Sequence, residues 1–197
     1  MRKLSVKLSQ LIDFMGFIHE FREIVRVARS PLSKRFENDA EHSYQLAMMA
    51  WFLIDQDKLK LNKSLCFMYA LAHDLVEVYA GDTYIFDEDK VTDKHKRERR
   101  ALSKIRRKYK NFSSLITTLE NYEKKNDKES KFIYALDKII DPLQIYMEKG
   151  ELWKEKNVEL EKLIKYKNSK IAISKSIDKY WQELLLELNK SQKDLFN

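Results

Sequence analysis

Three glycines and two prolines in 197 residues leave this chain almost none of the punctuation that sheets, hairpins and linkers need. Helices joined by short loops are what such a composition favours. A single cysteine, Cys66, excludes an internal disulfide, and its place inside an apolar helical pattern reads as a small buried hydrophobe rather than a reactive thiol. No apolar run approaches the roughly 20 residues that span a bilayer, and the N-terminus lacks the short apolar core and small-residue cleavage site of a secretory signal. A cytoplasmic protein is the expectation. The chain also carries no internal repeat and no low-complexity tract.

What is present is an apolar content of 44% and a net charge of +7, from 38 basic and 31 acidic residues. A chain of this length buries one core, so residues 1–197 are expected to form one domain. The basic excess is mild. Its densest stretch, KHKRERR at 94–100 with KIRRKYK at 104–110, is broken by Glu98 and threaded by Leu102, Ile105 and Tyr109 at helical spacing. That pattern describes a solvated helix face better than a nucleic-acid patch, and the overall positive field suits a small anionic molecule.

Leu4, Leu8, Leu11, Ile12 and residues 14–17 keep a helical stripe that continues through Phe21, Ile24 and Val25 after a break near Gly16, predicting a bent helix or helical hairpin. Residues 29–39 read as a loop, with Asp39 as the N-cap of a helix whose first turn holds His42. A third helix is expected from Asn62 to Tyr79 with Leu65, Met68, Tyr69, Ala72 and Val76 inward, closed by Gly81. Residues 82–92 lack periodicity, with only Ile85 and Phe86 hinting at a strand. Further helices are expected near 93–109, 112–125, 129–148 and 156–189.

The anomaly lies at 71–83, LAHDLVEVYAGDT. A lone histidine in a core helix is more often a hydrogen-bonded structural residue than a ligand. Asp74 beside it shifts that balance, because a buried carboxylate costs several kcal/mol unless it is paired or holds a cation. No lysine or arginine lies nearby in sequence, so the partner comes from another segment or is a metal ion. Glu77, at i+4 from His73 and i+3 from Asp74, puts a second carboxylate on the same turn. His42 and Asp137, the latter inside the apolar sequence FIYALDKIID, can supply ligands from two other helices. Imidazole and carboxylate together suit zinc, manganese, cobalt or iron(II). Only His19 and His95 remain among the four histidines, so one divalent ion is the simpler expectation.

ENDAEHSYQLAMMA at 37–50, HDLVEVYAGDT at 73–83 and ALDKI at 135–139 resemble, in that order, the H…HD…D pattern of the HD-domain metal-dependent phosphohydrolases. The resemblance covers about residues 10 to 150 and is nearest to the branch of bacterial 5′-deoxynucleotidases and HD-domain-containing protein 2. It implies an all-α bundle of about six to eight helices around a metal site, with residues 151–197 packing on the core or on a second subunit. Carried over by position, His42, His73, Asp74 and Asp137 would be metal ligands, and Glu77 and Asp82 the acidic residues beside the attacking water and the substrate. Arg26 would reach the phosphate, with Arg22 and Arg29 close enough in sequence to compete for that role. The implied activity is removal of the 5′-phosphate from (deoxy)nucleoside monophosphates, and the implied assembly a homodimer. Hydrolysis of guanosine tetraphosphate fits less well, since Val78 stands where those enzymes resemble HDxxED. Triphosphohydrolases acting on dNTPs usually bring longer chains with more histidines. A non-catalytic module binding nucleic acid or a partner through residues 94–110 would have no reason to keep all the ligands.

Overall fold

The computed structural model describes residues 5–84, 86 and 92–197. Leu4 and Ile85, both assigned a role by the sequence pattern, lie outside the described residues, as does the segment 87–91.

Helix α1 (Val6–Arg22) starts at Ser5, whose hydroxyl accepts the Leu8 N–H, and runs through Gly16 without a break. It ends earlier than its apolar stripe suggested. The β-branched run Ile24, Val25 and Val27 favours extended chain, and β1 (Val25–Arg29) pairs antiparallel with β2 (Phe36–Asn38) where a loop was expected. Two short backbone bonds, Ser30 N–H to Arg35 C=O and Lys34 N–H to Ser30 C=O, both 2.9 Å, close the connection.

Helix α2 (Asp39–Gln56) is capped by Asn38, not by Asp39. The Asn38 side chain accepts the Glu41 N–H at 3.0 Å and the Glu41 carboxylate accepts the Asn38 N–H at 3.1 Å, a reciprocal capping box. Asp39 is thereby freed to point inward, where it is wholly buried. Helix α3 (Lys63–Ala72) also stops short of expectation: residues 73–76 form a turn, and the single-turn helix α4 (Glu77–Ala80) follows. Met68, expected inside, is exposed. Gly81 leaves α4 with φ of 75°, a conformation glycine adopts without strain.

Helices α5 (Lys94–Lys108) and α6 (Ser113–Lys124) lead to α7 (Lys128–Met147), the centre of the bundle. Phe132, Ile133, Ala135, Leu136, Ile139 and Ile140 are all buried on α7, so Asp137 is carried in the middle of an apolar rod. After the short α8 (Glu151–Glu155), helices α9 (Leu160–Ile171) and α10 (Lys175–Lys190) pack back onto α7, and α11 (Gln192–Leu195) ends the fold. Ile171, Ile177, Trp181 and Leu188 are fully buried there, so this C-terminal region covers the core of its own chain. Eight helices of ten or more residues make an all-α bundle in which one two-stranded sheet is the exception among the described residues. Among the described residues no helix is long and apolar enough to cross a membrane.

Candidate metal centre

Four segments converge beneath the small sheet. The capped first turn of α2 presents His42, the turn after α3 presents His73 and Asp74, α4 presents Glu77, and the middle of α7 presents Asp137. His42 is wholly buried, and His73 and Asp137 nearly so. The Asp137 Oδ1 atom lies 3.1 Å from His42 Nε2 and 3.9 Å from His73 Nε2, and the two imidazole centroids are 5.4 Å apart. Asp74 Oδ2 is 2.9 Å from His73 Nε2. Three of the four residues singled out in the sequence as ligands, His42, His73 and Asp137, therefore bring ligand atoms within 4.8 Å of one another, and Asp74 meets this group through His73.

The other ring nitrogens face outward, which decides what the inner ones offer. His73 Nδ1 is 2.9 Å from the Ala70 carbonyl, an acceptor only, so it carries the proton and leaves a lone pair on Nε2. His42 Nδ1 points to Glu37 at 3.6 Å. Histidine ligands are oriented in this way by acceptors behind them. His73 Nε2 is buried and makes no hydrogen bond, since its approach to Asp74 lacks the alignment of one. A buried lone pair without a donor is a polar group left unsatisfied, and an ion held with His42 and Asp137 would satisfy it. Ring nitrogens and carboxylate oxygens in this proportion fit zinc, manganese, cobalt or iron(II).

Arg26, on β1, complicates the argument from Asp74. Its guanidinium lies 3.1 Å from Asp74, 3.2 Å from Asp39, 3.4 Å from Glu37 and 3.6 Å from Asp141. Asp74 thus has the cation that burial demands even without a metal, and the case for an ion rests on His73 Nε2 instead. The same guanidinium decides between competing clusters. Glu37, His42 and Asp141, and likewise Asp39, Asp74 and Glu77, bring ligand atoms close enough to share an ion. Both sets already hold Arg26 among their carboxylates. His42, His73 and Asp137 form the set it does not enter. Of the other two arginines considered, Arg29 forms a forked pair with Glu155 and Arg22 is exposed at the end of α1.

The electrostatics separate the acids. Burial would raise Asp74, but the His73 imidazole and the Arg26 guanidinium beside it hold it well below the ordinary carboxylate range. Asp137 also resists its burial and is held low by Lys138, with which it pairs, and by the two histidines. Glu77 goes the other way. Burial raises it, the Asp74, Asp39 and Asp82 carboxylates raise it further, and its Oε2 has no hydrogen-bond partner. Burial raises Asp82 as well, against the pull of Arg26. Carboxyls pushed up beside others held down are the arrangement from which acid–base roles are assigned.

Arg26, Asp74, Glu77, Asp82, Lys94 and Lys138 line one end of a pocket that continues between β1, α7 and α9 along Val27, Pro142, Ile145, Leu152 and Leu163. Sequence reasoning missed Glu37, Asp39, Asp141 and Lys167, which share this region. Asp141 alone left a signal: it stands at i+4 from Asp137, on the same face of α7.

The profile of the HD domain family matches residues 18–181. The 5′-deoxynucleotidase HDDC2 of Homo sapiens is 30% identical over 132 residues, 64% of this chain and 62% of that protein, and its Mus musculus counterpart is 33% identical with 64% of each covered. The chain thus matches just under two thirds of the length of these relatives. A crystal structure titled as a predicted metal-dependent phosphohydrolase from Magnetospirillum magnetotacticum superposes with a TM-score of 0.82 at 28% identity, covering 96% of this chain and 98% of the other. A Pyrococcus furiosus protein shares the fold, with a TM-score of 0.63 at 21% identity over 91% of this chain and 99% of the other.

Proposed function

Since the chain belongs to the HD-domain family, we propose that it is a metal-dependent phosphomonoester hydrolase that converts a (deoxy)nucleoside 5′-monophosphate to nucleoside and inorganic phosphate. The observation that carries this reading is the buried, unbonded Nε2 of His73, aimed with His42 and Asp137 into one volume beside an arginine and an apolar annex. His42, His73, Asp74 and Asp137 would hold one divalent ion, cobalt, manganese, zinc or iron(II). Such an ion supplies Lewis acidity toward a phosphoryl oxygen and acidifies water at neutral pH.

The chain's own residues do the rest. Arg26 offers a fixed fork to phosphate oxygens, already oriented by Glu37, Asp39, Asp74 and Asp141. Lys94 and Lys138, on the same wall, add positive charge where the transition state spreads negative charge. Water forms the new bond to phosphorus as the bond to O5′ breaks, so one proton must reach the leaving oxygen. Glu77, which burial and its carboxylate neighbours push up, suits that transfer, and Asp82 on the pocket wall suits substrate orientation. The apolar lining residues Val27 and Ile145 suit a nucleoside better than a bare sugar phosphate.

Purified protein supplied with Co²⁺ or Mn²⁺ and a panel of dNMPs and NMPs is expected to release phosphate from at least one of them. Release from none would overturn the substrate assignment.

The homodimer belongs to this proposal and has its own support. Leu11 and Met15 on α1, Tyr44, Met48 and Trp51 on α2, and Met68 on α3 are large apolar side chains exposed to solvent on consecutive, mutually packed helices. Exposed apolar side chains in this number on neighbouring helices support an interface. Light scattering is expected to give twice the chain mass, falling to the monomer mass in Trp51→Glu. A wild-type monomer would refute it.

A further inference from the structure

Lys167 differs from every other cation of the pocket. It lies on α9, is only 2% exposed, and makes no hydrogen bond or ion pair with any described residue. Its neighbours in the pocket, Arg26 and Lys138, are both neutralised by carboxylates. An ammonium with so little access to water is costly unless an acceptor meets it. The packing of α9 against α7 brings it to the same pocket as Asp141, whose Oδ1 is buried and likewise makes no hydrogen bond. The pocket therefore contains a group that can only donate and a group that, ionised, can only accept.

Their place along the pocket indicates what they meet. Asp141 Oδ1 lies 3.6 Å from Arg26 Nη2, while Nη1 of the same guanidinium lies 3.1 Å from Asp74. Asp141 thus sits one guanidinium width from the metal-site carboxylate, and Lys167, Ile145, Leu152 and Leu163 line the same pocket. In a nucleoside monophosphate the sugar lies between phosphate and base, so a group this near the phosphate clamp faces the sugar. A hydroxyl is donor and acceptor at one atom. A second phosphate would satisfy Lys167 but would be repelled by Asp141.

We propose that Lys167 and Asp141 read the substrate's 3′-hydroxyl, the lysine donating a hydrogen bond to its oxygen and the aspartate accepting one from its O–H, and so act as specificity-determining residues. The proposal rests on the nucleotide reading given above. A site built to hydrogen-bond a hydroxyl strongly rejects the analogue that lacks it, because its own buried groups are then left unpaired.

The test is a cycle between protein and ligand, using products that cannot be turned over. Calorimetry on the full-length protein would compare 2′-deoxyadenosine with 2′,3′-dideoxyadenosine, with deoxycytidine and dideoxycytidine as a second pair against base effects. Wild type is expected to bind the deoxynucleosides about tenfold or more tightly. Lys167→Met is expected to bring that ratio near one, chiefly by weakening the deoxynucleosides, and Asp141→Asn serves if the methionine variant does not fold. A ratio near one in wild type, an unchanged ratio in the variants, or no binding of either nucleoside overturns the proposal. The phosphate-release panel separates the two readings. Hydrolysis without hydroxyl discrimination sinks this inference alone, whereas discrimination without hydrolysis sinks the phosphatase assignment and leaves the hydroxyl site standing.

Discussion

The end of the bundle around His73 and the C-terminal helices are both dry, but they are dry for opposite reasons. Around His73 the buried groups are Glu37 and Asp39, which hold the Arg26 guanidinium, and His42, Glu77 and Asp137 beside them. Around Trp181 they are Ile171, Ile177, Leu184 and Leu188, with Trp153 stacked on Phe196 at 4.6 Å. The first region spends burial on holding charges where water cannot relax them, which weakens the fold and prepares a site. The second gains stability from apolar burial and supports the first through α7, which contributes residues to both.

That contrast is open to attack by substitution. Asp137→Ala is expected to abolish activity, a loss of about 10³-fold or more, together with the bound metal, whereas Glu77→Gln keeps the metal and loses about 10²- to 10⁴-fold in rate. Activity and elemental analysis on both variants check this, and equal metal loss would make Glu77 a ligand. Trp181→Ala, at the opposite pole, is expected to lower unfolding stability by about 3–5 kcal/mol, with metal content per folded chain unchanged. Urea titration and metal analysis of the same sample measure both. Asn38→Ala removes half of the capping box and is expected to cost about 0.5–2 kcal/mol, with a modest loss of metal affinity because His42 stands in the turn it anchors. The smallest effect is at Cys66: burial pushes its thiol up to about 12, so thiol reagents at pH 8 should label it only after denaturant is added.

The chemistry was legible because it violates the pattern around it. His73 and Asp74 interrupt an apolar helix, Asp137 interrupts another, and physical chemistry requires an explanation for each. The scaffold near them was less legible. Nothing like proline or glycine marks the break after Ala72, so α3 and α4 read as one helix; the turn is what lets His73, Asp74 and Glu77 face a common volume. Asp39 was hidden by its neighbour, since Asn38 and Asp39 have equal claim to cap a helix, and only the capping box with Glu41 separates them. Strands of five and three residues fall below what alternation can reveal, so Arg26 and Glu37 were read without their pairing. Lys167 sits in KYKNSK, which reads as a solvated face; only the packing of α9 on α7 shows it to be interior. The stripe of α1 misled in the other direction, because that helix buries Phe17 and Phe21 and leaves Leu11, Ile12 and Met15 in solvent.

The central claim is that the volume between His42, His73 and Asp137 holds a divalent ion. Elemental analysis of protein prepared without chelators, combined with anomalous diffraction at the metal's edge, tests it most directly. The account predicts close to one ion per chain and an anomalous peak about 2.0–2.2 Å from Nε2 of both histidines. Metal-free protein with no peak after soaking in Co²⁺, Mn²⁺ or Zn²⁺, and Asp74 held by Arg26 alone, would contradict it.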